Sequence, residues 1–278
     1  MNRPFVKMNG LGNDFIIVPD PDAAFTPDAT QVCGLARRDG SLGCDQLISI
    51  VPSARAHAAM RIWNADGQEV EHCGNAARCV SWLLMEAYSL DGVRLATPSG
   101  VLTAHREGPW RVSVDMGEPR LDWRDVPIAA PQDTLTLPMD LAPGLPRAAA
   151  VSMGNPHATF FVADLEGVAI ETLGPHIERA ALFPNGVNVG FAEIRAFDQI
   201  RLRVWERGAG LTKSCGTGAC AALVNAARRG LTARTAVVST DGGDLRITWS
   251  ETDNRVRMAG PVSLDHTGRL PDLEFYLR

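Results

Sequence analysis

The sequence predicts a mixed α+β (mixed α/β) fold of two pseudo-symmetric domains, each a shell of strands wrapped around one central, buried helix. Three observations predict it. The chain repeats itself at an offset of 142 residues. Within each copy, short segments alternate polar and apolar residues, as half-buried strands do. Each copy also carries one run of small and apolar residues that is apolar nearly all round, the mark of a helix inside its domain and not on its surface.

The repeat is the strongest of the three. Cys73 falls on Cys215, and the same shift carries Arg61-Ile62-Trp63 onto Arg203-Val204-Trp205. Gly12-Asn13 falls on Gly154-Asn155, Gln46 on Asn188, and Gly100 on Gly242. One offset that holds from residue 12 to residue 100 implies two copies of one architecture related by a pseudo-twofold axis.

The elements follow in order. "MRIW" (60–63) and its counterpart within "IRLRVW" (200–205) read as strands, and so do "WRVSVDMG" (110–117), "DLRITWS" (244–250) and "RVRMAGP" (255–261). The two helices are "NAARCVSWLLMEA" (75–87) and "TGACAALVNAARR" (217–229), the second stopped by Gly230. The first copy closes near "MGEP" (116–119) and the second near "AGP" (259–261), which gives domains 1–117 and 118–262. "LEFYL" (273–277) is left over and reads as a last strand crossing back, so 263–278 is assigned to the first domain. The active site is then expected in the interdomain cleft, where both Cys-Gly turns would meet.

Composition narrows the function. Of 278 residues, 45% are hydrophobic and 21% charged, which fits a globular protein and not a disordered one. A net charge of −5 with no basic run argues against nucleic acid as a partner. No apolar stretch reaches membrane-spanning length and the N-terminus lacks a signal-peptide core, so a cytoplasmic location is expected, with no membrane partner. The cysteines are Cys33, Cys44, Cys73, Cys79, Cys215 and Cys220; none forms a CxxC and no histidines cluster with them, so no metal is expected. Cys33, Cys44, Cys79 and Cys220 read as small buried hydrophobes. Lys7 and Lys213 are the only lysines, and a pyridoxal phosphate enzyme would have to use one of them while leaving the cysteine pair unexplained. No cofactor is expected.

Cys73 and Cys215 each stand directly ahead of a glycine at the start of an apolar helix. The first N–H groups of a helix have no partner within it, and its dipole puts partial positive charge there. A cysteine at that point should have its thiolate favoured and its pKa lowered. The same N–H groups make an anion site that glycine lets a carboxylate approach closely. Two such turns facing one α-carbon, with the sulfurs roughly 6–7 Å apart, could take a proton from one face and deliver one to the other. The enolate-like charge would be stabilised by the helix-end donors. The result is inversion of a stereocentre.

At this point the chain resembles the diaminopimelate epimerase family, essentially end to end. "KMNGLGNDF", "DQL", "NADGQEVEHCGNAARC", "GNPH", "PNGVNV", "ERGAG" and "CGTGACA" stand in the family's order. The resemblance implies two α/β domains, each a strand barrel around a helix, a homodimer as the active form, and cofactor-independent interconversion of LL- and meso-2,6-diaminopimelate in lysine and peptidoglycan-precursor biosynthesis. It makes Cys73 and Cys215 the catalytic base and acid, exchanging roles with direction. Gly74, Asn75, Gly216 and Thr217 match the positions that hold the reacting carboxylate, for which simple N-terminal capping by Asn75 or Thr217 is the plain alternative. Asn13, Gln46, Asn64, Asn155 and Asn188 match substrate-binding residues, and Glu206 and Arg207 match the pair that recognises the substrate's charged groups. His157 and Glu206 match residues that tune the cysteine pKa values.

The chain departs from the family's pattern at Leu211, often Glu, and at Ala76, often Gly; both lie outside the catalytic and ligand set. A cysteine-pair racemase or epimerase of another amino acid, proline- or histidine-type, is the nearest alternative. Glu206-Arg207 with Asn64, Asn155 and Asn188 favours a substrate with a second amino-acid head, whereas a proline-type pocket needs apolar walls. A silent binding or redox-sensing protein would be expected to have lost one sulfur or the anion sites, and both are retained.

Overall fold

The chain opens with a tight hairpin. Strands β1 (Pro4–Gly10) and β2 (Asn13–Pro19) pair antiparallel with Gly10 opposite Asn13. Leu11 (φ 60) and Gly12 (φ 78) form the turn, both in left-handed backbone. Such a turn matches the twist of the strands but strains a non-glycine residue, and it fixes where Asn13 emerges. The computed structural model describes residues 3–40, 42–70, 73–98, 100–138, 141–142 and 144–271.

Two compact units emerge. One runs through Val114 and is taken up again at Gly260; the other is Asp115–Ala259. In the first, α1 (Ala29–Ala36), started by an Asp28–Gln31 capping box, carries the chain from β2 to β3 (Gln46–Val51), which lies parallel to β2. Antiparallel β4 (Ala58–Asn64) and β5 (Glu69–Val70) follow. Helix α2 (Gly74–Tyr88) then crosses over to β6 (Gly92–Thr97), parallel to β4, and β7 (Gly100–Gly108) and β8 (Arg111–Asp115) continue antiparallel.

The second unit is built in the same order. Strands β9 (Ala149–Ser152) and β10 (Pro156–Phe161) pair antiparallel, α3 (Ile170–Glu178) follows, and β11 (Asn188–Ala196) lies parallel to β10. Antiparallel β12 (Gln199–Glu206) and β13 (Gly210–Thr212) lead into α4 (Gly216–Arg228). Strand β14 (Thr235–Thr240) is parallel to β12, with β15 (Gly243–Trp249) and β16 (Val256–Pro261) antiparallel after it. The repeat extends to register: Phe15 faces Gln46 as His157 faces Asn188, and Leu47 faces Trp63 as Val189 faces Trp205. The short helices α1 and α3 and strand β7 also lie on the 142-residue offset, although the sequence pattern did not single them out.

Burial explains the mixed class. Every residue of α2 from Gly74 to Trp82 is buried, and the helix packs on β1, β2, β6 and β7. Residues Gly218 to Ala226 of α4 are likewise buried, against β9, β10, β11, β12, β14 and β15. A helix with no polar face keeps its place only if strands surround it. α4 stops as the sequence implied, with Gly230 at φ 68 and its N–H on the Ala227 carbonyl at 3.0 Å. α2 ends instead on Ser89 in left-handed backbone.

Two features break the repeat. The segment between β8 and β9 has no counterpart in the first copy; it sends Val126, Ile128 and Leu137 into the second unit's core and is pinned by Arg228 and Arg229 at the end of α4. Strand β17 (Ser263–Arg269) pairs antiparallel with β1, Pro4 opposite Arg269. The expected strand at 273–277 lies outside the described residues. Among the described residues no helix is long and apolar enough to cross a membrane.

Candidate active site

In the first unit, Cys73 is the N-cap of α2, in extended backbone (φ −148, ψ 112) and half-buried. The first intrahelical bond runs from Ala77 N–H to the Cys73 carbonyl at 2.9 Å, so the N–H groups of Gly74, Asn75 and Ala76 precede it at the positive end of the helix. Cys73 Sγ lies 3.8 Å from Asn13 Oδ1, within reach of an S–H donor. Asn75 does not cap the helix: its Oδ1 accepts from Nη2 of the fully buried Arg78 at 2.9 Å. Gln46 and Asn64 face each other across β3 and β4, the Gln46 amide donating to Asn64 Oδ1 at 2.8 Å.

In the second unit, Cys215 is the N-cap of α4 and is buried. Its Sγ accepts the Gly218 N–H at 3.4 Å and lies 3.6 Å from Thr217 Oγ1. The Thr217 hydroxyl is a junction and not a cap. It is 3.0 Å from His157 Nε2 and receives the Asn155 amide at 3.3 Å. Asn188 donates to the Pro156 carbonyl at 2.9 Å and accepts the Arg207 N–H at 3.0 Å. The Arg207 guanidinium donates to the Asn185 carbonyl at 2.8 Å and lines a pocket of about 450 Å³ with Glu178, Phe183 and Pro184. Glu206 accepts from the Thr212 hydroxyl.

The electrostatics correct one expectation. The helix N-terminus was expected to lower both cysteine pKa values, yet burial and the nearby Glu206 carboxylate push the Cys215 thiol well up; the Thr217 hydroxyl and Gly218 N–H pull the other way and lose. Desolvation outweighs the dipole because a buried thiolate has lost the water that would solvate its charge. His157 is held neutral: burial, aided by Arg207, lowers it to about 3. Cys44 and Cys79 are pushed up to about 12 by burial, as inert buried thiols should be, and Cys220 is fully buried while Cys33 is half-buried.

Each unit thus gathers its own share of the singled-out residues: Asn13 with Cys73, Gln46 with Asn64, Asn155 and His157 with Thr217 and Cys215, and Asn188 with Arg207. Of the two departures from the family pattern, Leu211 lies in β13 and packs on the second unit's core, and Ala76 is fully buried. Sequence reasoning missed Asp45, which accepts from Asn13 Nδ2 at 2.8 Å, and Glu178, whose carboxylate takes the Trp205 indole N–H at 2.7 Å and the Gly208 N–H at 3.1 Å. The repeat gave no signal for Asp45, since Val187 stands at the matching place.

Comparison with known proteins supplies the context. A family model described as diaminopimelate epimerase matches residues 5–121 and 149–264. A diaminopimelate epimerase of Phenylobacterium zucineum is 53% identical over 98% of this chain and 99% of its own length. One from Acidiphilium cryptum is 52% identical over 96% of each. Among solved structures, a phenazine biosynthesis protein of the PhzF family from Enterococcus faecalis has a TM-score of 0.72 at 15% identity, covering 98% of this chain and 100% of that one. A hydroxyproline epimerase from Agrobacterium vitis, with bound trans-4-hydroxy-L-proline, has a TM-score of 0.64 at 16% identity over 98% and 95%. At those identities the structures speak for the fold.

Proposed function

The chain belongs to the diaminopimelate epimerase family, and on that footing we propose that it interconverts LL- and meso-2,6-diaminopimelate by proton transfer between two cysteines and the α-carbon. The observation that carries the reading is the repeated one: in each unit a cysteine is the N-cap of a buried helix. The two units are taken as the two domains of the enzyme.

In this reading the α-carboxylate rests on the N–H groups of Gly74 and Asn75 and of Gly216 and Thr217, where helix ends favour an anion. One cysteine, as thiolate, takes the α-hydrogen as a proton; the C–H bond breaks, an S–H bond forms, and the electron pair spreads into the carboxylate. The opposite cysteine, as thiol, gives its proton to the other face. The centre is inverted, the two sulfurs have exchanged protonation states, and exchange with solvent resets them. The pair titrates as one system. Burial and Glu206 hold Cys215 as the thiol, which suits it to start as the acid. His157, neutral and bonded to Thr217, keeps that hydroxyl in place beside Cys215 without adding a charge.

Specificity comes from the far end of the substrate. Arg207 would pair with the distal carboxylate and Glu206 with the distal ammonium, while Asn13, Gln46, Asn64, Asn155 and Asn188 supply neutral contacts. This polar set is why diaminopimelate is preferred to proline or histidine. The enzyme then serves lysine and peptidoglycan-precursor synthesis in the cytoplasm and works as a homodimer, without metal or cofactor. The test is chiral analysis of separate incubations with LL-diaminopimelate, L-proline and L-histidine, with no cofactor added. Formation of meso-diaminopimelate alone supports the proposal; racemised proline or histidine with diaminopimelate untouched replaces it.

A further inference from the structure

Asn13 stands beside Cys73, and what aims it is a charged cluster of Asp45, Asp14, Arg38 and Lys7. Asp45 Oδ2 accepts the Asn13 Nδ2 hydrogen at 2.8 Å and the Asp14 N–H at 3.0 Å. Asp45 Oδ1 is held by the Arg38 guanidinium, whose two nitrogens also grip both oxygens of Asp14 at 2.7 Å each. Asp14 Oδ1 in turn accepts the Asp45 N–H at 3.0 Å. Lys7 Nζ lies 3.3 Å from Asp14 Oδ2 and donates to the carbonyls of Leu42 and Gly43. Burial alone would raise Asp14, but the Arg38 guanidinium outweighs it and draws that carboxyl down to about 2, so Asp14 stays ionised.

A carboxylate only accepts, whereas an amide has one donating end and one accepting end. With its NH2 group committed to Asp45, Asn13 has its carbonyl left to point the other way, and Oδ1 is the atom 3.8 Å from Cys73 Sγ. Building on the two-base reaction proposed above, we infer that Asp45 is a positioning residue: it locks the Asn13 amide with its carbonyl on Cys73 and makes Asn13 the acceptor of the Cys73 S–H.

The chemical consequence is directional. A carbonyl oxygen supports the thiol and repels the thiolate, while the N-terminus of α2 does the opposite. The relay thus raises the proton affinity of Cys73 against the pull of the helix, so the Cys73 thiolate that acts as base opposite Cys215 is the stronger base, and the S–H it forms donates to Asn13. The second copy has no such device, since Pro156 and Val187 stand where Asp14 and Asp45 would be. There the sulfur faces the Thr217 hydroxyl, which can donate as well as accept. The two sulfurs are therefore served differently: one by a fixed acceptor, the other by a rotating group. Among the described residues, Arg78 of α2 and Asp265 of β17 also act on the neighbouring Cys79.

The test reads the protonation of Cys73 and not turnover, so it stands or falls separately from the assigned substrate. The full-length protein is alkylated with iodoacetamide across a pH series, and the Cys73 peptide is quantified by mass spectrometry. Asp45→Ala frees Asn13 to turn its NH2 group to the sulfur, and Cys73 should be alkylated about three- to tenfold faster near pH 7, with the midpoint shifted down. Loss of the Asp45 charge could by itself do the same through space, so the change is repeated in an Asn13→Ala background. The relay requires that Asp45→Ala then have little further effect. Arg38→Ala, which breaks the ion pairs but leaves the Asp45–Asn13 bond, should cost stability without lowering the midpoint. An equal shift in both Asn13 backgrounds, or no shift in Asp45→Ala, overturns the inference. Should Asp45→Ala not fold, Asn13→Ala carries the test alone: a lower midpoint supports the relay and an unmoved one overturns it.

Discussion

His157 Nε2 lies 3.0 Å from Thr217 Oγ1, and that hydroxyl is 3.6 Å from Cys215 Sγ. The imidazole is fully buried and lowered to about 3, first by burial and then by Arg207. Its folded-state pKa is below the unfolded value near 6.5, so between those values the unfolded chain binds the extra proton and stability falls as pH falls. From pH 6.5 to pH 5 the loss should be on the order of 2 kcal/mol, ahead of most carboxylate titration. Denaturant unfolding at stepped pH checks it: His157→Gln, which can keep a bond to Thr217, should lose this slope. An identical slope in the variant would mean that His157 takes up its proton without unfolding.

The two sulfurs should be individually indispensable. Cys73→Ala or Cys215→Ala removes a base in one direction and an acid in the other, so net epimerisation should fall to background in both. Serine should leave a weak remnant, since a hydroxyl is a far poorer base near neutral pH. The measurement is meso-product formation by chiral chromatography at high enzyme concentration. Near-normal turnover in either alanine variant would remove the two-base mechanism.

Gly218 controls where Cys215 sits. A methyl group there would lie 2.9 Å from Val204 Cγ2 and 3.2 Å from both Cβ and Sγ of Cys215. Gly218→Ala should therefore displace the sulfur, and kcat should fall at least about tenfold, because small misplacements of a reacting group are costly. Stability should drop by about 1–3 kcal/mol, as overpacking does. Kinetics paired with thermal melts separate the two effects. Unchanged kcat would place Cys215 away from the rate-limiting step.

Arg207 should matter for affinity more than for chemistry. Its backbone N–H is fixed by Asn188 and its guanidinium sits in the pocket beside Glu178. Arg207→Ala should raise KM for diaminopimelate about ten- to a hundredfold, the scale of a lost charge-assisted bond. Arg207→Lys should recover only part, since an ammonium cannot reproduce the planar fork. An unchanged KM in the alanine variant would mean that the distal carboxylate is held elsewhere.

Much of the fold was legible because the repeat is written in the hydrophobic pattern. Trp63 and Trp205 occupy matching strand positions, and the stretches around Cys79 and Cys220, apolar nearly all round, read as interior helices. Apart from the short helices α1 and α3 and strand β7, what escaped was what one copy has and the other lacks. The Arg38–Asp14–Asp45 cluster reads in sequence as ordinary loop polarity, and only the fold brings Asp14 of β2 against Asp45 just before β3. The raised Cys215 pKa was hidden for a related reason: helix position is visible in sequence, but desolvation and the approach of Glu206 are three-dimensional facts. Asn75 and Thr217, readable as caps, turned out to serve Arg78 and His157 because the cysteines themselves hold the N-cap positions.

The central claim is that hydrogen leaves one face of the α-carbon to one sulfur and arrives at the other face from a second sulfur. The most direct test is the early time course of LL-diaminopimelate turnover in deuterium oxide, with no cofactor, followed by mass spectrometry of the separated stereoisomers. Two monoprotic thiols on opposite faces predict that newly formed meso-diaminopimelate carries one solvent deuterium at the inverted centre, while the unreacted LL-isomer remains largely protiated. Product that retains the original α-hydrogen, or deuterium entering the unreacted LL-isomer as fast as product forms, would point to a single base serving both faces and would contradict the account.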